Sequence, residues 1–122
     1  MTASLLGALA VILGAFGAHG LKKLVPPETV TTFETGVRYH FYHVFALLAV
    51  GVLYQYFPNA QMVWAGRLFM IGIALFSGSL YLLTMLKATN TVGLSGIGII
   101  TPIGGLFLVA GWLFLFLSLL KK

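Results

Sequence analysis

Four predominantly apolar segments, each about as long as a bilayer is thick, constrain this chain more than any other feature. They fall at about residues 2–21, 32–57, 63–86 and 102–120. A helix needs about 20 residues, at about 1.5 Å each, to cross a hydrocarbon core of about 30 Å. In lipid, backbone N–H and C=O groups must be paired internally, so only helices and closed barrels span. Runs of this length without period-two alternation select helices. The expected fold is an all-α integral membrane protein. It is one domain over residues 1–122, with four transmembrane helices in a compact bundle.

Composition agrees. Hydrophobic residues make up 60% and charged residues 7%, against roughly 25% charge in a soluble domain. Mean hydropathy is +1.05. A disordered chain and a conventional water-soluble enzyme are excluded. With no Cys there is no disulfide, thiolate metal site or thiol nucleophile. There is no Asp, and Glu28 and Glu34 are the only acidic side chains. The net charge of +5 points to anionic headgroups. The basic residues are scattered, so no nucleic-acid partner is expected. No Lys or Arg precedes the first run, which is also longer than a signal-peptide core of about 7–15 residues. It reads as a retained span.

Local signals suggest the helix boundaries. Lys22-Lys23 closes the first span, and Pro26-Pro27 lies in a polar linker. Thr31 with Glu34 forms a capping-box pattern, predicting a second helix from Thr32. Pro58-Asn59 ends it. Arg67 snorkels near the start of the third span, and Lys87 marks its end. Thr101-Pro102 reads as N-cap and first residue of the fourth helix; the alternative starts it near Gly96 with a kink at Pro102. The stretch Gly93–Gly98 reads as a linker, or else as a re-entrant loop. Four spans put both termini on one side, and basic residues on both sides leave the orientation open.

Lipid tails are as apolar as Leu, so helices associate where small residues let backbones approach. Ala3, Gly7, Ala10, Gly14 and Gly17 recur at spacings of 4, 3, 4 and 3, one stripe on the first helix. Gly72 and Ser79, Ala74 and Gly78, and Gly104 and Gly111 give shorter stripes later. The packing residues expected are Gly7, Gly14, Gly17, Gly78, Gly104 and Gly111. These seams either close the bundle or leave a face for a second copy; a homo-oligomer is expected.

Most polar chemistry lies in FETGVRYHFYH, Phe33–His43. Glu34 and Arg38 are one turn apart and positioned to pair. His19, at the end of the first span, lies at the same membrane edge. The candidate polar or ligand site is therefore His19, Glu34, Arg38, Tyr39, His40 and His43. An interfacial belt of aromatic and basic anchors contains the same residue types. So does a site for a proton, an ion or a lipid headgroup. A metal needs three donors, and His-x-x-His with His19 and Glu34 supplies them in principle; no metal or cofactor is expected. A purely peripheral role for His43 predicts that His43→Ala leaves stability unchanged. Tyr54, Tyr56 and Trp64 resemble the aromatic belt of the opposite edge. There is no P-loop, nucleophile elbow or HExxH.

Four motifs in one order resemble a known family. They are GAFGAHGLKK at Gly14–Lys23, FETGVRYHFYH at Phe33–His43, LFSGSLYLL at Leu75–Leu83, and TPIGG with AGWL at Thr101–Leu113. The sequence is similar to the small four-helix membrane proteins of domain of unknown function 423. The resemblance implies a multi-pass protein of a bacterial inner membrane, and its recurring residues include His19, Arg38, His40, His43, Tyr81 and Pro102. It supplies no activity. The function expected is a non-enzymatic membrane protein that self-associates and binds lipid headgroup or ion at its polar cluster. The alternative is a small channel or transporter for protons, ions or a small solute. An enzyme is disfavoured, because few acid–base groups exist.

Overall fold

The computed structural model describes residues 1–89 and 95–120, with backbone only at 95–97. Gly93-Leu94 of the expected linker, and Lys121-Lys122, which follow the fourth span, lie outside the described residues. Helix α1 covers Thr2–Ala18, and a 3-10 turn at Leu21–Lys23 follows. Helix α2 covers Pro27–Leu53, α3 Ala60–Gly72 and α4 Gly78–Ala88, with one π turn at Ile73–Ser77 between the last two. Helix α5 covers Ser95–Leu119. Four segments are long and apolar enough to cross a membrane: Thr2–Lys23, Pro27–Leu53, Ala60–Ala88 and Gly98–Leu119.

Helix starts differ from the sequence signals for local reasons. Pro26 is extended and Pro27 takes the first helical position, where a missing N–H costs nothing. Thr31 is thus already inside α2. Its hydroxyl donates back to the Pro27 carbonyl at 3.1 Å rather than capping. Asn59 starts α3 at Ala60, its side chain accepting from the Met62 N–H at 3.0 Å. Its Nδ2 donates to the Ser118 carbonyl at 3.0 Å, tying the start of α3 to the end of α5. Thr101 is not an N-cap, because α5 runs through Pro102 from Ser95. The Thr101 hydroxyl instead meets Ser79 Oγ on α4 at 2.5 Å. Ser95–Gly98 is helical, so the linker expected there is replaced by helix, in agreement with the alternative start near Gly96.

The π turn and Pro102 each interrupt the i→i−4 ladder. In lipid such breaks persist where neighbouring side chains take over the freed groups. Ser79 Oγ donates to the Phe76 carbonyl at 2.8 Å, and Ser77 Oγ donates to the Gly36 carbonyl of α2 at 2.6 Å.

Small residues decide the packing. A Cβ at Gly104 would fall on the backbone of Leu75 and Phe76, so α5 lies backbone-to-backbone on the π turn. Gly72 and Gly111 admit Leu108 and Phe69 in the same interface. The stripe on α1 faces α2: Gly7 meets Val44, Gly14 meets Val37 and Gly17 meets Phe33. It closes α1 onto α2 within the chain. Gly78 is different from expectation, since among the described residues nothing lies within 4 Å of its would-be Cβ. Helix α2 is central, packing on α1 at one side and on α3, the π turn and α4 at the other, while α5 covers α3 and the π turn. Met62, Ala65, Phe69 and Leu108 centre one apolar cluster; Leu21, Val30, Phe33 and Val37 centre another, towards the 3-10 turn.

Candidate functional site

The six expected residues do not converge. Glu34 and His43 lie nine positions apart on α2, about 14 Å along the axis. His40 is the middle residue of Pro27–Leu53, so His40 and His43 sit deep in the span, not at its edge. His19 is exposed at the end of α1. Among the described residues its ring makes no hydrogen bond. Three separate arrangements result.

The first is a crevice at the membrane edge. Lys22, Val30, Thr31 and Glu34 line a cavity of about 400 Å³. Glu34, Arg38, Phe33 and the α1 glycines Gly14 and Gly17 line a continuation of about 290 Å³ between α1 and α2. Glu34 and Arg38 are both exposed. They form no ion pair with each other, and neither pairs elsewhere among the described residues.

The second is His43. Its Nδ1 lies 2.7 Å from the Tyr39 carbonyl, and the Trp112 indole N–H donates to its Nε2 at 3.0 Å. A carbonyl only accepts and an indole only donates. The ring is therefore neutral, with its proton on Nδ1. Both nitrogens are used, so neither is free for a metal or a transported proton. A proton on Nε2 would face the Trp112 N–H, donor against donor. Phe69 packs edge-on against Trp112, with centroids 5.2 Å apart. The ring ties α2 to α5, which replaces the peripheral role expected for His43.

The third is His40, 1% exposed. Its Nδ1 shares a hydrogen bond with the Tyr81 hydroxyl at 2.8 Å, joining α2 to α4. Its Nε2 is buried and, among the described residues, has no hydrogen-bond partner. The Leu6 backbone of α1 approaches the ring without completing a hydrogen bond there. Among the described residues, no group of three or more His, Cys, Asp or Glu side chains is placed to hold a metal. The fold does not bring His19, Glu34, His40 and His43 together as one ligand set.

Tyr39 belongs with His43, its carbonyl accepting from Nδ1 and its ring stacked on the imidazole with centroids 6.3 Å apart. It is 40% exposed, and its ring packs on Phe76 of the π turn and on Tyr42, at centroid distances of 5.1 and 5.6 Å. Trp112, Ser77 and Thr101 were not singled out as site residues. Tyr81 carried only the resemblance. Each is polar in an apolar run, the one available signal, but no local spacing says which helix it faces.

The pattern of a family described as "Protein of unknown function (DUF423)" matches residues 13–105. A UPF0382 membrane protein of Staphylococcus haemolyticus is 39% identical over 121 residues, covering 96% of this chain and 93% of its own. The UPF0382 membrane protein YwdK of Bacillus subtilis is 40% identical over 114 residues, covering 93% and 88%. One from Schizosaccharomyces pombe is 38% identical over 111 residues, covering 90% and 91%. No solved structure matches.

Proposed function

Because this chain belongs to the DUF423 family of membrane proteins of unknown function, we propose a role from its geometry: a non-catalytic bundle that binds a phospholipid headgroup in the crevice between α1 and α2. Lys22 and Arg38 supply cations for the phosphate, and Glu34 supplies a carboxylate for an ammonium. Phe33 and Val37 give the crevice an apolar wall beside them, along which an acyl chain lies. The observation that carries this reading is that Glu34 and Arg38, exposed and unpaired, line that crevice. Helix α2 is about 40 Å long and overruns a core of about 30 Å. Centred, it holds Glu34 about 9 Å and Arg38 about 3 Å from the midplane along its axis, so a headgroup meets them only where the crevice draws it inward. Charged groups at such depth are costly unless they meet a partner or a polar headgroup.

Native mass spectrometry from mild detergent, with phosphatidylethanolamine, phosphatidylcholine and phosphatidylglycerol in competition, tests the reading. Retention of phosphatidylethanolamine is expected, lost in Arg38→Gln. Glu34→Gln is expected to abolish the preference for phosphatidylethanolamine over phosphatidylglycerol. Equal retention in all three proteins refutes it. Self-association belongs to the same proposal, supported by the exposed outer face of α1 at Leu5, Leu9, Ile12 and Phe16. Crosslinking between copies at Ile12 in native membranes is the expected result, and a monomer there overturns it.

A further inference from the structure

A second cavity lies on the opposite side of α2 from that crevice. It is a groove of about 700 Å³ between α2 and α5, within the range of small-molecule sites, about 300–1,000 Å³. Tyr39 and Tyr42 of α2, Phe76 of the π turn and Val109 of α5 wall it, and the His43–Trp112 pair lines it too. It opens sideways towards lipid: Tyr42 is 52% and Val109 55% exposed.

The depth of its hydroxyls is unusual. Tyrosines in membrane proteins concentrate at the interfaces, where the O–H meets water or headgroups. Tyr39 and Tyr42 instead flank His40, the middle residue of α2. Among the described residues neither phenol O–H has a hydrogen-bond partner. An unpaired hydroxyl in hydrocarbon is costly. His43 cannot serve them, since both its nitrogens are engaged. An acyl chain offers no acceptor to these donors, and among the described residues no Lys or Arg lines this groove to draw a phosphate inward. The missing group is an acceptor on an apolar body that resides near the midplane.

We propose that this groove binds an isoprenoid quinone, whose ring carbonyls accept from the Tyr39 and Tyr42 hydroxyls and whose tail lies along α5. The ring lies against the aromatic wall of Tyr39, Tyr42 and Phe76, with Pro102 and Gly105 of α5 completing the lining. This site is independent of the headgroup crevice and stands or falls separately.

The two tryptophans provide the test. Trp112 lines the groove, whereas Trp64 lies near the other end of the third span, under the Arg67 guanidinium at 5.1 Å. In Trp64→Phe, Trp112 is the sole indole, and bound quinone quenches it. A short-tailed quinone titrated into that protein in mild detergent is expected to quench saturably. Tyr39→Phe and Tyr42→Phe keep the rings and remove the donors. Each is expected to weaken the apparent Kd about fivefold, the size of one net hydrogen bond. Val109→Phe, on an exposed position, is expected to block the groove with the far-UV circular dichroism unchanged. An isoprenoid alcohol of equal tail length is expected to compete poorly. Quenching that rises linearly with quinone and is equal in the Phe variants would mean partition into the micelle, and overturns the proposal. Equal competition by the alcohol would mean a site for the tail alone, and overturns it as well.

Discussion

Gly104→Ala is the most informative single substitution in the bundle. Its added methyl would stand 2.7 Å from the Leu75 carbonyl carbon and from Phe76 Cα, and nearer still to the Phe76 nitrogen. These are backbone atoms, so no rotamer change relieves the clash. Restoring ordinary contact requires α5 and the π turn to part by roughly 0.7 Å or more, an overpacking cost of about 1–3 kcal/mol, near its upper end against backbone. The same parting stretches the 2.5 Å contact between Ser79 and Thr101, and interhelical bonds in lipid average about 0.6 kcal/mol. Alanine returns about 1 kcal/mol of helix propensity. The net expectation is a loss of about 2–3 kcal/mol. Gly105→Ala is the matched control: its Cβ would lie 3.7 Å from the Phe76 ring, an ordinary contact. It is expected to be neutral or stabilising by up to about 1 kcal/mol. Reversible unfolding in mixed micelles with rising dodecyl sulfate, followed by circular dichroism, measures both. If the two alanine variants unfold at the same detergent fraction, the backbone contact does not hold this interface and the reasoning fails.

The remaining expectations concern the buried polar pairs. His43→Ala leaves the Trp112 N–H and the Tyr39 carbonyl without their partner and opens a cavity, so a loss of about 2–4 kcal/mol is expected; the same micelle titration checks it, and an unchanged midpoint would return His43 to a peripheral role. Tyr81→Phe strips His40 of its remaining hydrogen bond and is expected to cost about 1–3 kcal/mol. Tyr81→Phe with His40→Leu is expected to cost less than the two single changes added together; additive losses in the double-mutant cycle would show that the pair is not coupled. Asn59→Ala removes both the cap of α3 and the tie to Ser118, for an expected loss of about 1–2 kcal/mol, read as faster amide exchange in the first turn of α3.

The number, length and helical nature of the spans follow from the sequence itself. Apolar length is what the bilayer selects, and the four runs meet it without help from neighbours. The stripe Ala3, Gly7, Ala10, Gly14 and Gly17 was legible for the same reason, since close approach needs small residues wherever the partner lies. Local signals were less decisive at the helix starts. Thr31 and Glu34 match a capping box, yet Pro27 begins α2 first, and Thr101-Pro102 match a helix start inside a helix already under way. The π turn at Ile73–Ser77 left no sequence trace, because it exists to seat Gly104 of another helix.

The site was legible only as a set of residue types. Phe33–His43 announced unusual chemistry, but every face of a lipid-embedded helix is apolar, so periodicity says little about which neighbour each side chain meets. Helical rise separated Glu34 from the histidines by depth, and helical turn set Arg38 on the crevice beside α1, away from His40. Tertiary packing then gave Trp112 to His43 and Tyr81 to His40, and left Tyr39 and Tyr42 in an open groove. An imidazole's proton, and hence its chemistry, is set by the group opposite it. For this chain that group comes from a helix far along the sequence, so composition determined the solvent and architecture, and only the assembled bundle decided the role of each polar side chain.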